Sequence, residues 1–184
     1  MTIPNIITVL RFLLVPFIIN AMLEGEMMLA LAGFVLAGIS DGVDGFIARH
    51  FDQRSELGAY LDPLADKLLL VSVFVVLGFI GELPQWLVIG IVSRDAMIVG
   101  AVTLSAVMGH PVQVKPLFVS KANTLAQILL AIVALGEMAF APGPEWLRSG
   151  LITVTALLTG ASAAAYLFTW LQHMSGNGAR EEDN

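Results

Sequence analysis

Six apolar runs constrain this chain more than any other feature. They cover roughly Ile6–Leu23, Met27–Ile47, Leu57–Ile80, Trp86–Met108, Val119–Met138 and Leu147–Leu171. Each is about 18 or more residues long, enough for a helix to cross a bilayer. The expectation is an all-α polytopic membrane protein with six transmembrane helices. Only 13% of the 184 residues are charged and 57% are hydrophobic, far from the balance of a soluble domain. The first run lacks a small-residue exit and is followed at once by another apolar run, so it does not read as a signal peptide. One membrane domain over residues 1–175 fits the length, with a polar tail over 176–184 expected to be disordered. There are no cysteines, so disulfides are excluded.

Lysine and arginine placement sets the expected orientation. Arg11 lies near the first entry, Arg49, Arg54 and Lys67 in or near the second connection, Lys115 and Lys121 around the fourth, and Arg180 in the tail. The first and third connections carry Glu24, Glu26 and Glu82 with no positive residue, and the fifth carries Glu137, Glu145 and Arg148. The positive-inside rule then puts both termini in the cytoplasm. The expected location is a bacterial inner (cytoplasmic) membrane or its equivalent. The net charge of −6 gives no reason to expect a nucleic-acid partner.

Turn chemistry separates the runs at Glu24-Gly25-Glu26, at Gly81-Glu82-Leu83-Pro84 and at Ala141-Pro142-Gly143-Pro144. Trp86, Trp146 and Trp170 fall near run ends, as an interfacial belt would. The small-residue run Gly160–Ala165 permits close helix approach, within the bundle or between subunits.

The polar chemistry gathers between Asp41 and Asp66. Its pattern is Asp41-x2-Asp44-Gly45-x2-Ala48-Arg49-x8-Gly58-x3-Asp62-x3-Asp66. Spacings of three and four put each aspartate pair on one helical face. Four inward-facing carboxylates repel one another and are costly to desolvate, and divalent cations between them would keep all four ionised. Carboxylates are hard oxygen ligands suited to Mg²⁺ or Mn²⁺. Gly45, Ala48 and Gly58 are small enough to let a ligand approach the backbone, and Arg49 is a fixed cation beside a phosphate-sized site. Taken alone, Asp62-Pro63 also reads as an N-cap with proline at the first helical position. Capping does not account for Asp41, Asp44 and the three small residues together. A divalent-cation transporter is a reading of another class, since intramembrane carboxylates also mark ion paths. Gathering the acids at one face, without an inverted repeat, weighs against it.

These residues resemble the CDP-alcohol phosphatidyltransferase signature at all eight of its fixed positions. The resemblance implies an enzyme that transfers a phosphatidyl group from CDP-diacylglycerol to an alcohol and releases CMP. It implies that Asp41, Asp44, Asp62 and Asp66 hold two divalent cations, that Asp66 doubles as the base, and that Gly45, Ala48, Arg49 and Gly58 hold the CDP part. The opening Pro4-Asn5-Ile6-Ile7-Thr8-x2-Arg11 is similar to the family's first helix, with Asn5 and Thr8 facing the nucleotide, although Asn5 also reads as an N-cap. A homodimer is implied by the resemblance alone.

Two branches of the family differ in acceptor. Leu36–Asp41, Ile91–Asp95 and Lys115–Thr124 resemble the cardiolipin synthase branch, whose acceptor is phosphatidylglycerol. The alternative acceptor is glycerol 3-phosphate, giving phosphatidylglycerophosphate. Arg94 and Asp95 lie inside an apolar run, where a charge costs at least about 2.5 kcal/mol near the centre. Arg94 reads either as half of a structural pair or as a contact for the acceptor phosphate. Lys115, Ser120 and Lys121 are further candidates for that phosphate, with Lys121 favoured because a helix N-terminus also attracts anions. His50, His110 and His173 show no ligand spacing.

Overall fold

The computed structural model describes the backbone of residues 3–50, 56–107 and 118–174, and side chains over 10–40, 65, 67–100 and 118–171. Among the described residues there are six helices and no strand. They are α1 (Ile3–Leu23), α2 (Met27–His50), α3 (Glu56–Phe79), α4 (Gln85–Val107), α5 (Phe118–Ala139) and α6 (Glu145–Met174). Each expected run lies within one helix, apart from Ile80 at the end of the third and from Met108 of the fourth, which is outside the described residues. The helices continue past several of the apolar runs because hydrogen bonding does not stop where hydropathy does. Thus α2 extends three residues beyond Ile47, and α6 begins two residues before Leu147.

Glycine terminates α1 and α3 in the same way. Gly25 and Gly81 have φ of 82° and 84°, a left-handed conformation that other residues adopt at a cost. The amide of Glu26 donates to the Ala21 carbonyl at 2.8 Å, and that of Glu82 to Leu77 at 2.9 Å. The Gly25 and Gly81 amides close the inner bonds to Met22 and Gly78. Both ends are Schellman motifs, which satisfy the last helical carbonyls and turn the chain sharply.

Two three-helix groups build the bundle. In one, α1 packs along α2 and α3, and in the other α6 packs along α4 and α5. The groups meet where α2 touches α5 and where α3 touches α4 and α5. Between α1, α2 and α3 lies an apolar core with Ile18, Met22, Phe34, Val73, Phe74 and Leu77 essentially inaccessible. Gly33 lets α2 approach α1 closely, since a Cβ there would sit 2.9 Å from Cγ1 of buried Ile18.

The outside of the bundle is apolar as well. Leu13, Phe17, Ile39, Phe79, Ile89, Phe118, Leu157 and Phe168 are among many large exposed hydrophobic side chains. Such a surface fits a chain solvated by lipid rather than water. Two helices, α5 over Phe118–Ala139 and α6 over Glu145–Leu171, are long and apolar enough to cross a membrane. Shorter apolar segments lie in α1 (Leu10–Leu23), α2 (Met27–Ser40) and α3 (Lys67–Phe79). Trp86 and Trp146 are exposed at the starts of α4 and α6, where an interfacial belt puts them, while Trp170 is half-buried.

Candidate active site

The four aspartates lie on two helices that both pack on α1. Asp41 and Asp44 are in the last part of α2, and Asp62 and Asp66 in the first part of α3. Because α3 begins at Glu56, Asp62-Pro63 is inside the helix and not at its cap. Gly45, Ala48 and Arg49 are on α2 and Gly58 is on α3, so the whole pattern spans the α2 end and the α3 start. Asn5 and Thr8 are on α1, the helix between them. The side chains of these residues lie outside the described ones, as do Lys115 and His110. Arg11, three residues after Thr8, is on α1 and is fully buried.

The described polar chemistry centres on Arg94 of α4. Its side chain is only 3% exposed. Nη1 donates to Asp95 Oδ1 at 2.5 Å, Nη2 donates to Ser120 Oγ of α5 at 2.6 Å, and Nε and Nη2 both donate to Ser162 Oγ of α6, at 3.1 and 2.6 Å. The guanidinium also lies 5.7 Å from the ring centroid of Tyr166. A guanidinium holds its donors in a rigid planar fork, so one side chain can tie three helices together. Asp95 Oδ1 accepts a second cation, Lys67 Nζ of α3, at 3.0 Å. Lys67 is the residue after Asp66, so this ion pair joins the aspartate-bearing turn of α3 to the Arg94 centre. Lys121, next to Ser120 in the first turn of α5, is exposed.

The structural reading of Arg94 and Asp95 is what the geometry displays. They form the ion pair expected of a structural role, and Arg94 bonds Ser120 in the corner of the bundle that also holds Lys121. Three partners were not singled out from the residues alone. Lys67 looked like an orientation signal. Ser162 is hidden in the Gly160–Ala165 run, where smallness suggested only close packing, yet it is fully buried between exposed Gly160, Ala161 and Ala164. Tyr166 carried no signal. The available sign was the face of α6 formed by Thr155, Thr159, Ser162 and Tyr166, spaced by four, three and four residues.

That face continues as a polar seam. Thr159 Oγ1 donates to Asn123 Oδ1 at 2.9 Å across α5 and α6, both residues being buried. Gln127, one turn further along α5, and Thr155 on α6 are also buried. Asn123 Nδ2, Gln127 Nε2 and Thr155 Oγ1 have no hydrogen-bond partner among the described residues.

A second arginine closes the far end of these helices. Arg148, in the first turn of α6, donates from Nη2 to Glu82 Oε2 at 2.7 Å and to the Glu82 carbonyl, and from Nη1 to Glu137 Oε2 at 3.2 Å. It clamps the α3–α4 turn and the end of α5 to the start of α6. With Pro84, Glu145 and Ser149 it lines an open cavity of about 530 Å³.

A protein-family model described as CDP-alcohol phosphatidyltransferase matches residues 1–171. The chain is 36% identical over 181 residues to the cardiolipin synthase (CMP-forming) of Homo sapiens, covering 90% of this chain and 60% of that one. It is 33% identical over 183 residues to a probable cardiolipin synthase (CMP-forming) of Drosophila melanogaster, covering 91% and 57% respectively. A third relative is the chloroplastic CDP-diacylglycerol–glycerol-3-phosphate 3-phosphatidyltransferase 1 of Oryza sativa subsp. japonica, 34% identical over 185 residues with 90% and 54% covered. The chain therefore spans about 60% or less of the length of these relatives.

Proposed function

Because the chain belongs to the CDP-alcohol phosphatidyltransferase family, we propose that it transfers the phosphatidyl group of CDP-diacylglycerol to an alcohol and releases CMP. The observation that carries this reading is the uninterrupted eight-position pattern from Asp41 to Asp66, borne on two helices packed against one α1. The preferred acceptor is phosphatidylglycerol, giving cardiolipin, supported by the three sequence stretches and by the human and Drosophila relatives. Glycerol 3-phosphate is the second reading, favoured by the rice relative.

The donor set suits the metals. Asp41, Asp44, Asp62 and Asp66 offer only hard carboxylate oxygens, the ligands that Mg²⁺ and Mn²⁺ take. When bound, two such ions would neutralise charge on the pyrophosphate and on the leaving CMP. The remaining work falls to the chain. Gly45, Ala48 and Gly58 leave room for the nucleotide, Arg49 offsets phosphate charge, and Asn5 and Thr8 approach it from α1. Asp66 takes the proton of the acceptor hydroxyl. That oxygen then attacks the phosphorus bonded to diacylglycerol, and the bond from this phosphorus to CMP breaks. The acceptor phosphate is assigned to the set Arg94, Lys115, Ser120 and Lys121, with Arg94 acting through the Ser120 hydroxyl it holds.

The same reading makes the chain one domain over 1–175 with a polar tail, all six helices spanning and both termini and the site cytoplasmic. It sits in a bacterial inner membrane or its equivalent, as a homodimer. Asp66→Asn is the direct test of the base. Loss of general-base catalysis costs roughly 10²- to 10⁴-fold, so kcat should fall by that factor, and turnover near the wild-type rate contradicts the assignment. Metal dependence has a readout apart from turnover. CDP-diacylglycerol should raise the melting temperature only when Mg²⁺ or Mn²⁺ is present, and equal stabilisation in excess chelator contradicts the two-metal site.

A further inference from the structure

The Arg94 centre carries more positive charge than it neutralises. Lys67 and Arg94 share one oxygen of a single carboxylate, Asp95 Oδ1, at 3.0 and 2.5 Å. Among the described side chains, two cations and one anion leave this centre a net charge of +1. The other partners of Arg94, Ser120 and Ser162, are neutral hydroxyls. A positive charge among packed helices that no described carboxylate balances is a place where an anionic ligand is favoured. Arg94 is not the group that can meet one as it stands, because its side chain is sealed at 3% exposure and donates to three protein residues. Lys67 is different. Its side chain is 34% exposed, and an ammonium has three donors of which Asp95 takes one. It also follows Asp66 directly.

We propose that Lys67 is the phosphate-binding cation of this centre, held in place by Asp95, while Arg94 acts as the buried anchor that fixes Asp95, Ser120 and Ser162 around it. Asp95 is thus a positioning residue and Lys67 a binding residue. The proposal rests on the phosphatidyl-transfer reading, in which both substrates supply phosphate: the diphosphate of CDP-diacylglycerol and the phosphate of the acceptor. Lys67 follows Asp66 on α3 and is linked through Asp95 and Arg94 to Ser120 of α5, and the shared chemistry is a phosphate oxygen.

The test compares wild type with Lys67→Met and Lys67→Arg. Lys67→Met leaves Arg94 and Asp95 as a neutral pair, so the fold is expected to survive, with a melting temperature within a few degrees of wild type. Steady-state rates are measured in two series, one varying CDP-diacylglycerol and one varying the acceptor. Binding is also followed by thermal-shift titration with CDP-diacylglycerol, phosphatidylglycerol and glycerol 3-phosphate separately. A lost charge-assisted hydrogen bond corresponds to about 10- to 100-fold, so Lys67→Met should raise KM by that factor in one series and leave kcat within about threefold. Lys67→Arg, which keeps the charge, should recover most of it. The series that moves identifies which phosphate Lys67 holds. Unchanged KM and binding in Lys67→Met overturn the proposal. So does a loss of stability and kcat shared by both variants, which is the mark of a purely structural lysine. A wild-type protein that forms no lipid product from any substrate pair overturns the transfer reading instead, and the titrations then decide on Lys67 by themselves.

Discussion

The two three-helix groups of this bundle have different interiors. Between α1, α2 and α3 the described core is apolar apart from Arg11, with Ile18, Met22, Phe34, Phe74 and Leu77 filling it. Among the described residues, every other buried polar side chain belongs to α4, α5 or α6: Arg94, Asp95, Asn123, Gln127, Thr155, Thr159 and Ser162. In lipid the hydrophobic effect does not drive helices together, so association depends on close packing and on interhelical hydrogen bonds. The first group uses the former and the second adds the latter. The division suits the proposed chemistry. Helices proposed to present charged metal ligands at one end gain a stiff framework from close-packed apolar contacts. Helices proposed to recognise a polar acceptor carry donors and hydroxyls into the bundle, and those groups fix one another's orientation.

The comparison can be broken by substitutions that should affect only one group. The largest effect is expected at Arg94. Replacing it with Met strands Asp95 with Lys67 alone and frees Ser120 and Ser162. Removing one partner of a buried ion pair costs about 3–5 kcal/mol, measurable as a large drop in melting temperature in detergent. A change under 1 kcal/mol would mean that the centre does not hold α4, α5 and α6 together. Phe74→Ala probes the apolar group at a similar or somewhat smaller scale, about 3–5 kcal/mol for a fully buried Phe.

A sharper test follows at the seam. Thr159→Val removes the donor to Asn123 Oδ1 and leaves that buried amide without its bond, for roughly 1–3 kcal/mol. Combining it with Asn123→Leu removes both polar groups, and the double variant should be closer to wild type than the sum of the single ones. Strict additivity would show that the bond contributes nothing to pairing α5 with α6. The smallest effect belongs to Arg148→Met. That side chain is 26% exposed and sits at a helix end, where solvent screens its pairs with Glu82 and Glu137. About 1 kcal/mol or less is expected. A loss as large as that at Arg94 would erase the distinction between the buried centre and the exposed clamp.

Much of this architecture is legible from the residues in order. Apolar run length gives six helices, and glycine after a helix with a polar flank gives the Gly25 and Gly81 turns. Local periodicity carries that information because the bonds involved span three to five residues. It also brings Asp41 and Asp44 onto one helix and Asp62 and Asp66 onto the next. The Arg94 centre could not be assembled in this way. Its hydrogen bonds reach 26 residues to Ser120 and 68 to Ser162, and the Arg148 bond to Glu82 spans 66. Nothing in a helical repeat says which serine faces which arginine. Ser162 looked like one small residue among alanines, and Lys67 like one more cytoplasmic charge, until the packing of α3, α4 and α6 brought both to Asp95 and Arg94.

The central claim is phosphatidyl transfer to a phosphate-bearing alcohol, with phosphatidylglycerol preferred. The most direct measurement incubates the purified protein with CDP-diacylglycerol and Mg²⁺ or Mn²⁺, offers phosphatidylglycerol and glycerol 3-phosphate in separate tubes, and identifies the lipid products by mass spectrometry. Cardiolipin and CMP from the phosphatidylglycerol tube alone are the predicted result. Phosphatidylglycerophosphate from the other tube alone contradicts the acceptor assignment, and no CMP-releasing transfer in either tube contradicts the account as a whole.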